Sequence, residues 1–164
     1  MKEREISILN YHFRYYFEHC IAENQIQVIS HHFSNHKIEG LTIIDELGTS
    51  FSYELDNPKV KQNFTLCHEL GHFFLKHEGS YFAESVDNQE SILEREANVF
   101  SAVVLMPDIV LLSKIYYACD SFQKVKEDLE VSNQALYYRL IDIMRVYDVD
   151  TESAIKEAVE KYLV

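Results

Sequence analysis

This chain has little positive charge, few cysteines and no long apolar run. Its 15 Lys and Arg stand against 27 Asp and Glu, a formal net charge of −12. Non-specific binding to DNA, RNA or an anionic membrane rests on neutralising phosphates with Lys and Arg, so this deficit argues against all three. A protein partner with a basic surface stays open. The three cysteines, Cys20, Cys67 and Cys119, are odd in number, far apart and without a C-x-x-C pair. That excludes a disulfide framework and a cysteine zinc knuckle. No apolar run of about 18 residues occurs, and the N-terminus turns polar after ISIL, so neither a membrane span nor a secretory leader is read. The expected location is the cytoplasm. Repeats, low-complexity tracts and long linkers are also missing.

What is present is 47% hydrophobic residues in 164, enough for one domain with a core of its own. Residues 4–22 read as an aromatic-rich amphipathic helix. Residues 25–33, QIQVISHHF, alternate like a strand. IEGLTIIDELGTSFSYELDN follows as a hairpin, with Gly48 in its turn. After Pro58 the period changes to helical. A helix is expected over 60–77, then a polar stretch, EGSYFAESVDNQE, then a helix at about 91–105. Pro107 suits the first turn of another helix, where its missing N–H is no loss. Further helices are expected near 121–129, 133–146 and 151–163, with Ser132 capping the second and Asp150 or Thr151 the third. The class is α+β, with a small, about three-stranded sheet. Residues 1–118 are expected to form a catalytic core and 119–164 a helical subdomain of a single domain.

One segment, TLCHELGHFFLKH at 65–77, carries the chemistry. It contains His68, Glu69 and His72 in the order H-E-x-x-H. On a helix, residues four apart share a face about 6 Å apart along the axis, so both imidazoles aim at one point, as two Zn²⁺ ligands must. Glu69 can act beside them as a general base. Gly71 costs a helix interior about 1 kcal/mol relative to Ala, which is explained if another backbone approaches there.

A catalytic zinc usually takes a third protein ligand. In SILEREANVFSAVVLMP the apolar positions Ile92, Val99, Phe100 and Val103 form a stripe that includes Glu96. A carboxylate on a core-facing stripe is unfavourable unless paired or metal-bound, which makes Glu96 the expected third ligand. Glu94, about 200° round the helix, reads as solvated. His77 reads as a neighbour of the site or a surface residue. HHFSNH (His31, His32, His36) lacks ligand spacing. His12 and His19, with Tyr11, Tyr15 and Tyr16, look like a helix packing face, and Cys67 like a small buried hydrophobe.

NFTLCHELGHFFLKHEG, EREANVFSAVVLMP and LEVSNQALYYRL together resemble the ImmA/IrrE family of zinc-dependent metallo-endopeptidases, over roughly residues 39–140. The resemblance implies a compact zincin-like α+β fold, His68, His72 and Glu96 as zinc ligands, and Glu69 as general base. It also implies a helix-turn-helix transcriptional repressor as substrate, whose cleavage switches on mobile-element, prophage or stress genes. Position 63 is Asn where many members have Arg, and position 101 is Ser where Ala is usual; neither is expected to touch the metal. The chain looks like a minimal form without a further sensor domain.

A peptidase also needs a donor for the developing oxyanion, a contact worth about 2.7–4 kcal/mol. Tyr81, His77, Tyr137 and Tyr138 are the candidates. The loop at 78–90 is a candidate gate. Two other readings compete. One is a zinc-bound regulatory protein with little peptidase activity, against which the general base argues. The other is a helix-turn-helix DNA binder. Residues 121–145 have that cadence, but Lys124, Lys126, Arg139 and Arg145 are balanced by Glu127, Asp128, Glu130 and Asp142, without the basic footprint of a recognition helix.

Overall fold

A computed structural model describes residues 8–34, 38–77, 92–146, 157 and 159–162. The chain divides into two compact units, Arg14–Leu105 on one hand and Met1–Phe13 with Met106–Val164 on the other.

The first unit holds the sheet. After α1 (Phe13–Glu23) come β1 (Gln27–His31), β2 (Gly40–Asp45) and β3 (Gly48–Glu54), then α2 (Lys59–Phe74) and α3 (Ile92–Leu105). The strand order is β1-β3-β2, with β1 parallel and β2 antiparallel to β3. Asp45 pairs with Gly48 across the hairpin end, and the Leu47 N–H donates to Asp45 Oδ1 at 2.8 Å. Gly48 has φ +124°, which residues with a Cβ rarely adopt, so glycine at this corner is required by the backbone. Phe51 is fully buried and meets Phe73 of α2 edge-on, ring centroids 6.2 Å apart. The sheet thus seats the helix that carries the H-E-x-x-H motif.

The α2–α3 contact is closer still. A Cβ on Gly71 would lie 3.2 Å from Ala97 Cα and 3.2 Å from Phe100 Cβ. This is the backbone approach that the mid-helix glycine implies. Small residues on α3 answer it: Ala97 and Ser101 are fully buried, and Ser101 Oγ donates to the Phe64 carbonyl at 3.0 Å. The α3 face is therefore turned from the one that the apolar stripe suggests. Ile92, Val99 and Val103 are 75%, 63% and 45% exposed. Close approach of two backbones needs small side chains, and here that need outweighs the burial of larger apolar ones.

Other boundaries differ from expectation too. The helix expected from residue 4 begins at Phe13, after a 3-10 turn at Ile8–Asn10. Its buried residues are Phe13, Phe17 and Cys20, while Tyr15, Tyr16 and His19 are exposed, so the packing face is aromatic and thiol, not His and Tyr. The strand expected over 25–33 shortens to five residues, all exposed. The helix expected to reach residue 77 stops at Phe74. Lys76 takes the left-handed conformation at φ 54°, its N–H bonds to the Phe73 carbonyl at 3.3 Å, and the His77 N–H to the His72 carbonyl at 3.1 Å. That pair of hydrogen bonds is a Schellman stop built without glycine.

In the second unit, Pro107 sits just ahead of α4 (Asp108–Leu112), at its N-cap and not in its first turn. A π-helical turn, Ser113–Tyr117, follows, then α5 (Phe122–Leu129) and α6 (Asn133–Val146). Ser121 Oγ accepts the Lys124 N–H, and Ser132 Oγ accepts the Ala135 N–H at 3.0 Å, so each helix starts on a serine cap. Val125, Leu129, Leu136 and Ile141 fill this core. Lys114 is buried and donates to Asp128 Oδ2 at 2.7 Å. Residues 157 and 159–162 are helical, whereas Asp150 and Thr151 lie outside the described residues. The whole is a small α+β fold of the zincin-like type. No single helix among the described residues is long and apolar enough to cross a membrane.

Candidate metal centre

His68, Glu69 and His72 are all buried on α2. Their side chains part company. The two imidazoles face α3, and the Glu69 carboxylate faces β2. There the Thr42 hydroxyl donates to Glu69 Oε2. A Cβ on Gly40 would stand 2.5 Å from Glu69 Oε1 and would also strike the Thr65 methyl, so glycine at the head of β2 leaves the carboxylate its room.

On the α3 side, His68 Nδ1 lies 2.9 Å from Asn98 Oδ1. An amide oxygen only accepts, so this contact puts the His68 proton on Nδ1 and leaves Nε2 as a bare acceptor. That Nε2 is 2.9 Å from His72 Nε2 and 3.1 Å from Glu94 Oε2, and His72 Nε2 is 3.5 Å from Glu94 Oε1. One atom from each of the three residues lies within 4.8 Å of the others. Acceptors gathered this closely, in a largely buried place, repel one another unless a proton or a cation lies between them. Two imidazoles and one carboxylate are the donor set of a catalytic divalent-metal site, and the residues fit one. With a proton and no cation between them, hydrogen bonds from His68 and then His72 hold the Glu94 carboxyl down at about 2 despite its partial burial.

The structure thus brings Glu94, not Glu96, to the histidine pair. Glu94 shares the α3 face of Ala97, Asn98 and Ser101, the face pressed against α2 at Gly71. Glu96 is 54% exposed at the side chain, and its Oε2 is 3.1 Å from Nε2 of His77. His77 itself is buried, with its Nδ1 2.8 Å from His72 Nδ1. Asn98, Thr42 and Glu94 are the site residues that the sequence reading missed. The small and short side chains at 97, 98 and 101 mark the α3 face turned to Gly71, and Glu94 lies on that same face, which is the signal that could have found Glu94 and Asn98.

Other expectations resolve as follows. Cys67 is fully buried and packs as a small hydrophobe, and that burial pushes the pKa of its thiol up. Ser101 packs against α2 and Asn63 is buried in it; neither is among the three ligand-like residues. Tyr81, the 78–90 gate and His36 lie outside the described residues. Tyr137 and Tyr138 are on α6, in the unit that does not contain His68, and His77 is the oxyanion candidate already engaged beside His72. His32 stands 3.2 Å from Asp56 and 3.5 Å from Glu54, but His32 and Asp56 are exposed, and Glu54 is taken up by the backbone N–H groups of Phe33 and Asp56.

The IrrE N-terminal-like domain of the M78 peptidases matches residues 22–141. The chain belongs to that family. The matched span runs from the end of α1 through the sheet, α2 and α3 into α6, so it takes in every residue of the metal cluster. Membership makes the function metallopeptidase-type and the chemistry metal-dependent. A comparison with curated proteins gives no significant match.

Proposed function

We propose that the chain is a zinc-dependent endopeptidase of the ImmA/IrrE type that acts in the cytoplasm and cleaves a helix-turn-helix transcriptional repressor. The observation that carries the reading is the convergence of His68 and His72, on the helix that also carries Glu69, with Glu94 of α3, three acceptors in a largely buried place. A bound Zn²⁺ supplies Lewis acidity, polarising the scissile carbonyl and acidifying water. The chain's own residues do the rest. Asn98 orients His68, while Thr42 and the space at Gly40 hold Glu69 in one rotamer against β2. Glu69 takes a proton from the attacking water and returns it to the leaving amine. β2 is an outer strand of the described sheet, so an extended peptide laid along it would pass beside Glu69. A net charge of −12 complements the basic face of a DNA-binding repressor and speeds their encounter.

The test uses the helix-turn-helix repressor encoded nearest the gene. It is incubated with zinc-loaded wild type or Glu69→Gln, and the products are read by intact mass, with metal content measured in both. A fragment from the wild type alone, with zinc in both, supports the endopeptidase. No fragment from either removes that repressor as substrate and favours a metal-bound regulatory role.

A further inference from the structure

We propose that Glu96 and His77 form a positioning dyad which fixes the proton on His72, so that Glu96 serves the metal site through His77 and not as a ligand. The inference rests on the metal reading of His68, His72 and Glu94 given above.

Backbone geometry is what brings His77 to the site. In a Schellman stop the second residue past the helix cap folds back onto the residue three from its end, normally in an apolar contact. Here those two residues are His77 and His72, joined by the bond from the His77 N–H to the His72 carbonyl at 3.1 Å. Instead of an apolar contact, their rings meet Nδ1 to Nδ1 at 2.8 Å.

Two ring nitrogens at that distance share one proton, and either ring can hold it. If His77 donates, the proton of neutral His72 is on Nε2, aimed at Glu94 and His68, where it blocks coordination. If His72 donates, its Nε2 is bare and ready to ligate. The far end of His77 decides between them. Its Nε2 is 3.1 Å from Glu96 Oε2, and an ionised carboxylate only accepts. With Nε2–H given to Glu96, neutral His77 must present a bare Nδ1, so His72 must donate. The proton positions along Glu96, His77 and His72 follow from the carboxylate at the end of the chain. Asn98 performs the same service for His68 in one step. Partners of this kind on a ligating histidine typically change metal affinity by about 10–100-fold.

The experiment titrates the metal-stripped, full-length chain with Zn²⁺ against a chromophoric chelator, and with Co²⁺ read by its visible absorption. The variants are Glu94→Gln, Glu96→Ala, Glu96→Gln and His77→Phe. Glu96→Ala is expected to keep one zinc per chain and the wild-type cobalt spectrum, but to bind about 10–100-fold more weakly. Glu96→Gln, whose amide oxygen still accepts from His77, should recover most of that loss. His77→Phe should match Glu96→Ala, and combining the two should add little further. Wild-type affinity in Glu96→Ala, or no recovery in Glu96→Gln, overturns the dyad. So does loss of the metal in Glu96→Ala with normal binding in Glu94→Gln, which would make Glu96 the ligand. Should His77→Phe fail to fold, the two Glu96 variants decide alone, since that side chain is half exposed. Absence of tight binding in the wild type would refute the metal reading itself, and the dyad with it.

Discussion

At the scale of single residues, the chain's shortage of glycine shapes both its helix ends and its site. It has four glycines, and among the described residues Gln25, Lys76, Cys119 and Glu130 occupy left-handed positions that glycine usually fills. A side chain there is strained by roughly 1–2 kcal/mol. Lys76→Gly is therefore expected to stabilise the fold by about 1 kcal/mol, read as a higher urea midpoint with an unchanged slope. An equal or lower midpoint would show that the strain at Lys76 is relieved some other way. The reverse case is Gly71. A valine there would force α2 and α3 apart at Ala97 and Phe100, whose atoms already stand 3.2 Å from a single added carbon. Overpacking of this kind costs about 1–3 kcal/mol, and because Glu94 rides on α3, zinc affinity should fall along with the melting temperature. If Gly71→Val melted earlier yet bound zinc at wild-type affinity, the spacing of the two helices would not be what sets the site.

Among elements, the ends of strands and helices are tied by charges whose value depends on pH and partner. Glu54, at the end of β3, accepts the backbone N–H of Phe33 and that of Asp56, and these bonds hold its carboxyl below the usual carboxylate value. A depressed folded-state value means that the stabilisation is complete above the unfolded value, about 4.3, and is lost as pH falls through the folded one. Wild type should therefore exceed Glu54→Gln in urea midpoint at neutral pH, with the gap closing on acidification below about pH 4. A gap that does not change with pH would remove the linkage. In the other unit, burial raises the carboxyl of Asp128, but the ammonium groups of Lys114 and Lys124 pull it below its ordinary value. Lys114 is the buried member. Asp128→Ala leaves its charge with Asp120 at 3.8 Å as the remaining partner, and should destabilise by about 3 kcal/mol. Lys114→Met removes the buried charge and should be close to neutral, a contrast that thermal melts of the two variants would check.

For the whole molecule, a metal that binds only the folded chain shifts the folding equilibrium by mass action. At about 100 times its dissociation constant, zinc should add about 2.7 kcal/mol, a melting rise of about 5–10 °C that a chelator reverses. Glu94→Gln should show little of that rise, and an undiminished one would remove Glu94 from the site. The linear pattern already contained the α+β class, the hairpin at Gly48, the serine cap of α6 and the His68/Glu69/His72 triplet, because each is set within a few residues by period or turn chemistry. The α5 helix ends at Leu129, where the helix expected over 121–129 ends, whereas the helix stop at Phe74 was not legible, since left-handed Lys76 leaves no glycine to mark it. Nor was the rotation of α3. Its apolar stripe pointed to Glu96, yet packing depends on what Gly71 on another helix leaves room for, and that room takes the backbone at Ala97, with Glu94 and Ser101 on the same face of α3. The sequence by itself determined which helix carries the chemistry, because spacing along one helix is local. Which carboxylate joins it, and what holds Glu69 and His72 in place, only the tertiary structure decided, because those partners come from β2, α3 and the turn after α2, which meet only once the chain has folded.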